Sequence, residues 1–196
     1  HTEWELSYDS RSKEPKTLPT KFPLLLLLGA EGIAVGLSTK ILPHNFCELL
    51  RESIAFLRGY QVQLFPDFST GGKADFSNYD NGRRGGKVLV RAKIEERETG
   101  KLAITELPFG ATTDSLIASI VSAQEKGKLR IKKIDDNTAD SVEIILSIDK
   151  ESNPSTIIES LYLYTDCEIS ISVNCCVIKS GKPLFLDSTT LLEQSV

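Results

Sequence analysis

The sequence predicts an α+β fold, a mostly antiparallel sheet with helices on one face, in the order ββαββαβ. Three observations carry that prediction. Short alternating apolar runs come in pairs separated by turn residues, two segments of helical apolar spacing lie between those pairs, and the βαβαβ alternation that a parallel sheet requires is missing. With 196 residues, 40% of them hydrophobic and 26% charged, the chain has material for one large domain with a real core.

Taken in order, residues 1–20 are polar and turn-rich, end in Glu14-Pro15-Lys16-Thr17-Leu18-Pro19 and read as a linker. The apolar run over residues 23–30 is far below the roughly 20 residues of a spanning helix, and it sits too far into the chain for a signal peptide. Short and fully apolar, it reads as a buried strand or the turn leading to one. Pro43-His44-Asn45 starts a helix: Asn45 can cap, and Phe46, Leu49, Leu50, Ile54 and Leu57 recur at helical spacing until Gly59. Residues 66–86, rich in Gly, Asp, Asn and Ser, read as an extended hairpin loop.

The repeating pattern follows. Residues 87–94 alternate as a strand, 95–100 turn, and 102–107 form a second strand. A helix over 113–126, capped by Thr112 or Thr113, sets Leu116, Ile117, Ile120 and Val121 on one face. Residues 128–134 and 142–148 read as strands about a turn at 135–140. A second helix runs over 154–164 from a cap at Ser152 or Asn153. Residues 168–178 are β-rich, and Ser180-Gly181-Lys182-Pro183 turns into a short last strand.

The most informative stretch is Gly29-Ala30-Glu31-Gly32-Ile33-Ala34-Val35-Gly36-Leu37-Ser38-Thr39. Glycines at this density let a backbone press against a ligand or another backbone. Ile33, between a glycine and an alanine, either fills a core or projects against something flat.

Several chemistries find no residues here. The four cysteines form no Cys-x-x-Cys pair and the histidines are His1 and His44 alone, so neither a zinc site nor a Ser-His or Cys-His set can be assembled; buried thiols of a cytoplasmic protein are the better reading. Asp135-Asp136 and Glu95-Glu96 fall in turns and are solvated. Gly29, Gly32 and Gly36 match neither the P-loop nor the dinucleotide fingerprint. A net charge of −4 restricts any nucleic-acid contact to a local patch. Two basic clusters qualify. On a strand, Lys128, Arg130 and Lys132 would share one face roughly 6.6 Å apart, either tracking phosphates or keeping an exposed sheet face soluble. Arg83-Arg84-Gly85-Gly86-Lys87, with Arg91, lies at a flexible hairpin, either a phosphate contact or a plain turn.

Leu18-Pro19-Thr20-Lys21-Phe22-Pro23, the glycine segment, Pro43-His44-Asn45, Pro66-Asp67-Phe68-Ser69-Thr70-Gly71-Gly72, Gly86-Lys87-Val88 with Val90-Arg91-Ala92, and Glu106-Leu107-Pro108-Phe109 follow in an order that resembles the A subunit of the bacterial type IIA DNA topoisomerases, DNA gyrase and topoisomerase IV. The leucine run with Gly-Ala-Glu-Gly and Leu-Pro-His-Asn-Phe is more similar to the topoisomerase IV type. The resemblance implies an ATP-dependent isomerase in which a tyrosine in an Arg-Tyr context cuts DNA and a second duplex passes through the break. The partner B subunit holds magnesium and hydrolyses ATP, and A forms a homodimer within an A2B2 complex on double-stranded DNA, in the cytoplasm at the nucleoid. No Arg-Tyr pair occurs here, and Tyr8 matches a different family position. The expected nucleophile therefore lies upstream, and the fragment alone is expected to be inactive.

What the chain would carry is a connecting segment with a glycine-rich DNA wedge loop over residues 1–35 and the tower over 36–196. In the family the isoleucine of Gly-Ile-Ala-Val-Gly wedges between base pairs, which maps onto Ile33. Lys21, Gly32, His44 and Asn45 are the accompanying DNA-side candidates, followed by Arg83, Arg84, Lys87 and Arg91. Where family members often carry Asn and Ser or Thr, this chain has Leu28, Ala30 and Glu31, and its 72–86 hairpin is shorter. The first residue is His1 and no methionine occurs, as expected of a piece of a longer polypeptide. The rival reading is a non-catalytic α+β interaction module whose glycine segment packs against another subunit.

Overall fold

The computed structural model describes residues 2–17 and 20–196. His1 and the Leu-Pro opening of the motif over 18–23 lie outside the described residues. In chain order the elements are β1 (Trp4–Leu6), β2 (Lys13–Pro15), α1 (Leu24–Leu28), β3 (Ala30–Ala34), β4 (Leu37–Ile41), α2 (Phe46–Leu57), β5 (Lys73–Asp75), β6 (Lys87–Arg91), β7 (Lys93–Glu98) and β8 (Lys101–Glu106). There follow α3 (Thr113–Glu125), β9 (Lys133–Asp136), β10 (Ile144–Ser147), α4 (Pro154–Tyr164), β11 (Glu168–Ser172), β12 (Cys176–Lys179), β13 (Lys182–Phe185) and α5 (Ser188–Ser195). Every strand pairing is antiparallel, and the run from β7 to β11 has the predicted ββαββαβ order. The α+β class is as the sequence implied.

The largest core lies between the four-stranded sheet β7-β8-β10-β9 and helices α3 and α4. Alternation on β8 and β10 sets Leu102 opposite Leu146 and Ile104 opposite Ile144, and all four are fully buried with Leu116, Ile120 and Leu161. Thr112 caps α3 through a reciprocal capping box with Ser115, and Asn153 caps α4 with Pro154 in the first helical position. A second core joins α1, α2 and α5 through Leu26, Leu49, Leu191 and Leu192. A third lies on the β11-β6-β5 sheet, where Val88, Val90 and Ile171 meet Phe68 and Tyr79.

Several elements differ from expectation. Residues 24–28 of the apolar run over 23–30 are helical because leucine, not branched at Cβ, is a good helix former. Only Leu26 is fully inward, a helical rather than a β pattern. The strand expected over 87–94 serves two sheets, divided at Ala92, whose N–H donates to the Cys167 carbonyl at 2.8 Å. The turn expected over 95–100 is shorter, since β7 continues to Glu98 through register shifts.

Residues 128–132 form no ladder strand. Leu129 and Ile131 still point inward, but the Gln124 side chain donates to the Ile131 carbonyl, and the first backbone bond to β10 comes from Lys132 N to Ser147 O at 2.8 Å, with the ladder from Lys133. The proposed basic strand face is therefore not built: Lys128 lies 5.4 Å from the Tyr164 ring centroid and Lys132 pairs with Asp149 at 3.5 Å. The polar opening expected to be a linker contains the β1–β2 hairpin. Helix α5, unforeseen, starts where the Thr190 N–H donates to Asp187 Oδ1 at 2.8 Å.

Candidate nucleic-acid interface

The glycine segment is a hairpin. β3 and β4 pair from Ala30–Ile41 to Ala34–Leu37, leaving Val35 and Gly36 as a two-residue turn. Gly36 has φ 77°, the left-handed conformation such a turn demands at its second residue. Ile33 is 92% exposed and Val35 103%. Ile33 therefore fills no core among the described residues; it stands at the free end of a narrow ribbon, directly opposite Ser38.

The hairpin base is closely fitted. Gly29 has φ 70°, and a Cβ there would lie 2.5 Å from the Ile41 carbonyl oxygen and 3.0 Å from Pro43 N, so glycine is required on both counts. His44 is 4% exposed, with Nδ1 3.0 Å from the Leu26 carbonyl oxygen; that geometry makes Nδ1 the donor and leaves Nε2 unprotonated and unpartnered. Its imidazole is thus part of the platform under the hairpin and not of the outer surface. Burial pushes its pKa below the ordinary histidine value, against the opposing pull of hydrogen bonds to Leu26 and Leu42. A depressed folded-state pKa means stability present above about pH 6.5 and lost as pH falls toward the folded value. We expect acidification below pH 6.5 to lower the melting temperature, and His44→Gln to flatten that dependence in a pH series of thermal melts.

Asn45 is likewise occupied. Its Oδ1 accepts from Cys47 N at 2.9 Å and Glu48 N at 3.3 Å, and its Nδ2 donates to Asp67 Oδ2 at 2.9 Å. Asn45→Ala should destabilise by about 1–2 kcal/mol, a lost cap plus a partly exposed side-chain bond, read in urea denaturation.

The segment over 173–175 ties the hairpin to the basic turn. On one edge Val173 N donates to Gly86 O at 2.9 Å and Cys175 N to Gly82 O at 3.3 Å; on the other, Asn174 and Lys40 exchange backbone bonds at 3.0 and 2.8 Å. The turn carrying Arg83 and Arg84 and the hairpin carrying Gly32 and Ile33 are thereby fixed on a common spine. Arg84 is exposed, lies 5.7 Å from the Phe185 ring centroid, and borders a groove of about 290 Å³ on one flank of the hairpin with Gly36, Ser38 and Asn174. The other flank holds an apolar groove of about 260 Å³ lined by Gly32, Ile33, Cys176 and Ile178.

The remaining basic candidates divide. Lys21 and Lys87 are exposed. Arg83 pairs with Asp187 at 2.9 Å. Arg91 pairs with Glu168 and covers the Tyr162 ring at 4.9 Å. The structure thus sets Arg84, on its turn with Arg83, against the flank of the hairpin that carries Gly32 and Ile33, with His44 and Asn45 behind it. Two participants escape sequence reasoning. Val35 was signalled by lying two residues from Ile33 in the same motif, whereas Asn174 had no local signal. Among the described residues, no three His, Cys, Asp or Glu side chains gather as a possible metal cluster, and no helix is long and apolar enough to cross a membrane.

The chain that carries this hairpin is similar in sequence to A subunits of DNA topoisomerases. The chain is 48% identical over 192 residues to the A subunit of DNA topoisomerase 4 of Borreliella burgdorferi, covering 98% of this chain and 30% of that protein. It is 33% identical over 197 residues to the A subunit of DNA gyrase of Chlamydia pneumoniae, covering 90% of this chain and 23% of that protein. The corresponding gyrase polypeptide of Staphylococcus aureus is 32% identical over 204 residues, 92% of this chain and 22% of that protein. The chain therefore spans less than a third of the length of these relatives. The family of the DNA gyrase/topoisomerase IV A subunit matches residues 1–196, and the chain belongs to that family.

Proposed function

We propose that this chain is the gate-DNA bending part of an ATP-dependent type IIA topoisomerase, with Ile33 as the wedge. One observation carries the reading: Ile33 is 92% exposed at the end of an anchored hairpin. An apolar side chain presented in this way gains by inserting between base pairs; unstacking costs a few kcal/mol per step, offset by the protein surface that a bent duplex can then reach. Gly32 lets the strand approach the groove closely. Arg84, Lys87 and Lys21 are exposed and meet the phosphates, and Arg83 and Arg91 join them to the extent that Asp187 and Glu168 release them. His44 and Asn45 act by holding the platform.

Residues 1–35 form the connecting segment and residues 36–196 the tower, the division falling in the turn of the hairpin. The intact A subunit supplies the cleaving tyrosine from outside this chain and works as a homodimer with the ATP-hydrolysing, magnesium-holding B subunit in an A2B2 complex at the nucleoid. This segment alone cuts no DNA. The reading is tested by fluorescence energy transfer between the ends of a duplex bound to the assembled enzyme. Ile33→Ala should return the bound duplex toward its straight length, while the native bend in that variant would refute the wedge and favour a subunit-packing role for the hairpin.

A further inference from the structure

We infer that Asn174 is a positioning residue for the Ile33 hairpin, acting through the backbone of Ser38; this rests on the wedge reading above. In an antiparallel ribbon alternate residues turn their N–H and C=O away from the partner strand. On β4, Lys40 N donates to Asn174 O and Asn174 N to Lys40 O, and Asn174 Nδ2 donates to Ser38 O at 2.6 Å. Residue 174 thus holds the outer edge of β4 with both its backbone and its side chain. Thr39 Oγ1 adds a bridge, donating to Asn174 O at 3.2 Å and accepting from Cys176 N at 3.3 Å.

Ser38 is the cross-strand partner of Ile33. The side chain of Asn174 is therefore the outermost tether of the hairpin among the described residues, and it holds the residue directly behind the wedge. Without it the last fixed point retreats to Thr39 and Lys40, lengthening the free ribbon by up to about 7 Å at roughly 3.4 Å per residue. Asn174 keeps this bond at a cost, since its Oδ1 is buried with no hydrogen-bond partner. A residue serving packing alone would be better placed there without such an acceptor.

The test compares Asn174→Asp and Asn174→Ala with wild type and Ile33→Ala in the assembled enzyme, using single-molecule energy transfer on an end-labelled duplex. Asp keeps the volume of Asn but, ionised at pH 8, turns only acceptors toward Ser38 O, so the tether gives way to a repulsion, while Asn174→Ala removes it without one. Both Asn174 variants should lower the bent population about fivefold, the loss of one hydrogen bond of ordinary net strength, and broaden its angular distribution. The added carboxylate shares a groove with Arg84, so duplex affinity at low salt should fall for Asn174→Asp, and the bent population is compared among bound duplexes only. A wild-type bent population in Asn174→Asp overturns the inference, whatever the fate of Asn174→Ala. Should Ile33→Ala keep the native bend, the wedge reading itself falls; if Ile33→Ala loses the bend and Asn174→Asp does not, only the positioning role falls.

Discussion

Ile33→Ala in the intact enzyme is expected to reduce strand passage by about one to two orders of magnitude while leaving the fold untouched. The side chain has almost no neighbours to lose, being 92% exposed, so the melting temperature should move by less than about 2 °C, in keeping with surface substitutions worth under about 0.5 kcal/mol. The functional effect has a different origin. A wedge recovers part of the few kcal/mol that unstacking costs, and removing it leaves that cost to the phosphate contacts alone; each loss of about 1.4 kcal/mol is a factor of ten in the bent population. Phosphate contacts are unchanged, so the salt dependence of duplex binding should keep its slope. A decatenation or relaxation time course beside a thermal melt separates the two effects.

Gly29→Ala is expected to do the reverse, damaging the fold first. Alanine would be forced into φ 70° with its Cβ 2.5 Å from the Ile41 carbonyl oxygen. The left-handed conformation costs about 1–2 kcal/mol for a residue with a side chain, and relieving the clash moves Ile41 or the hairpin base and disturbs the packing around Leu26 and Leu49. A loss of about 2–4 kcal/mol follows, comparable to a large core truncation. Urea denaturation of the variant measures it; a loss below about 1 kcal/mol, the level of an ordinary substitution, would mean that the junction of α1 and β3 yields more easily than its geometry indicates. Because the same junction aims β3, bending should also fail at temperatures where the variant remains folded.

Much of this was legible in the sequence where local and tertiary preferences agree. Asn45 and Thr112 lie at helix starts because their side chains cap, and Leu102, Ile104, Ile144 and Leu146 alternate because one sheet face is buried. The ordered motifs were enough to point to the family. Legibility failed where long-range pairing decides. Lys128, Arg130 and Lys132 alternate as a strand should, but only the last of them reaches the sheet, through its N–H to the Ser147 carbonyl, and the ladder begins at Lys133. The apolar alternation of 87–94 does not reveal that Ala92 divides it between sheets. The leucines of α1 carry no period, and only the structure shows that Leu26 alone among them is fully buried.

The site was half legible. The sequence leaves Ile33 open between a core and a projecting role, and only the three-dimensional pairing of β3 with β4 shows it outside every core of the described residues. The resemblance sets His44 among the DNA-side candidates, whereas the structure buries it with a hydrogen bond to the Leu26 carbonyl, in the support of the hairpin. Asn174, 136 residues from the carbonyl that it holds, lies beyond any local pattern.

The central claim, that Ile33 opens a base step, is tested most directly by 2-aminopurine placed at successive steps of a gate duplex bound to the assembled enzyme. The account predicts a local rise in fluorescence at one step per protomer in the wild type and its disappearance in Ile33→Ala, with the duplex still bound. An undiminished rise in Ile33→Ala, or no rise at any step in the wild type, would contradict it.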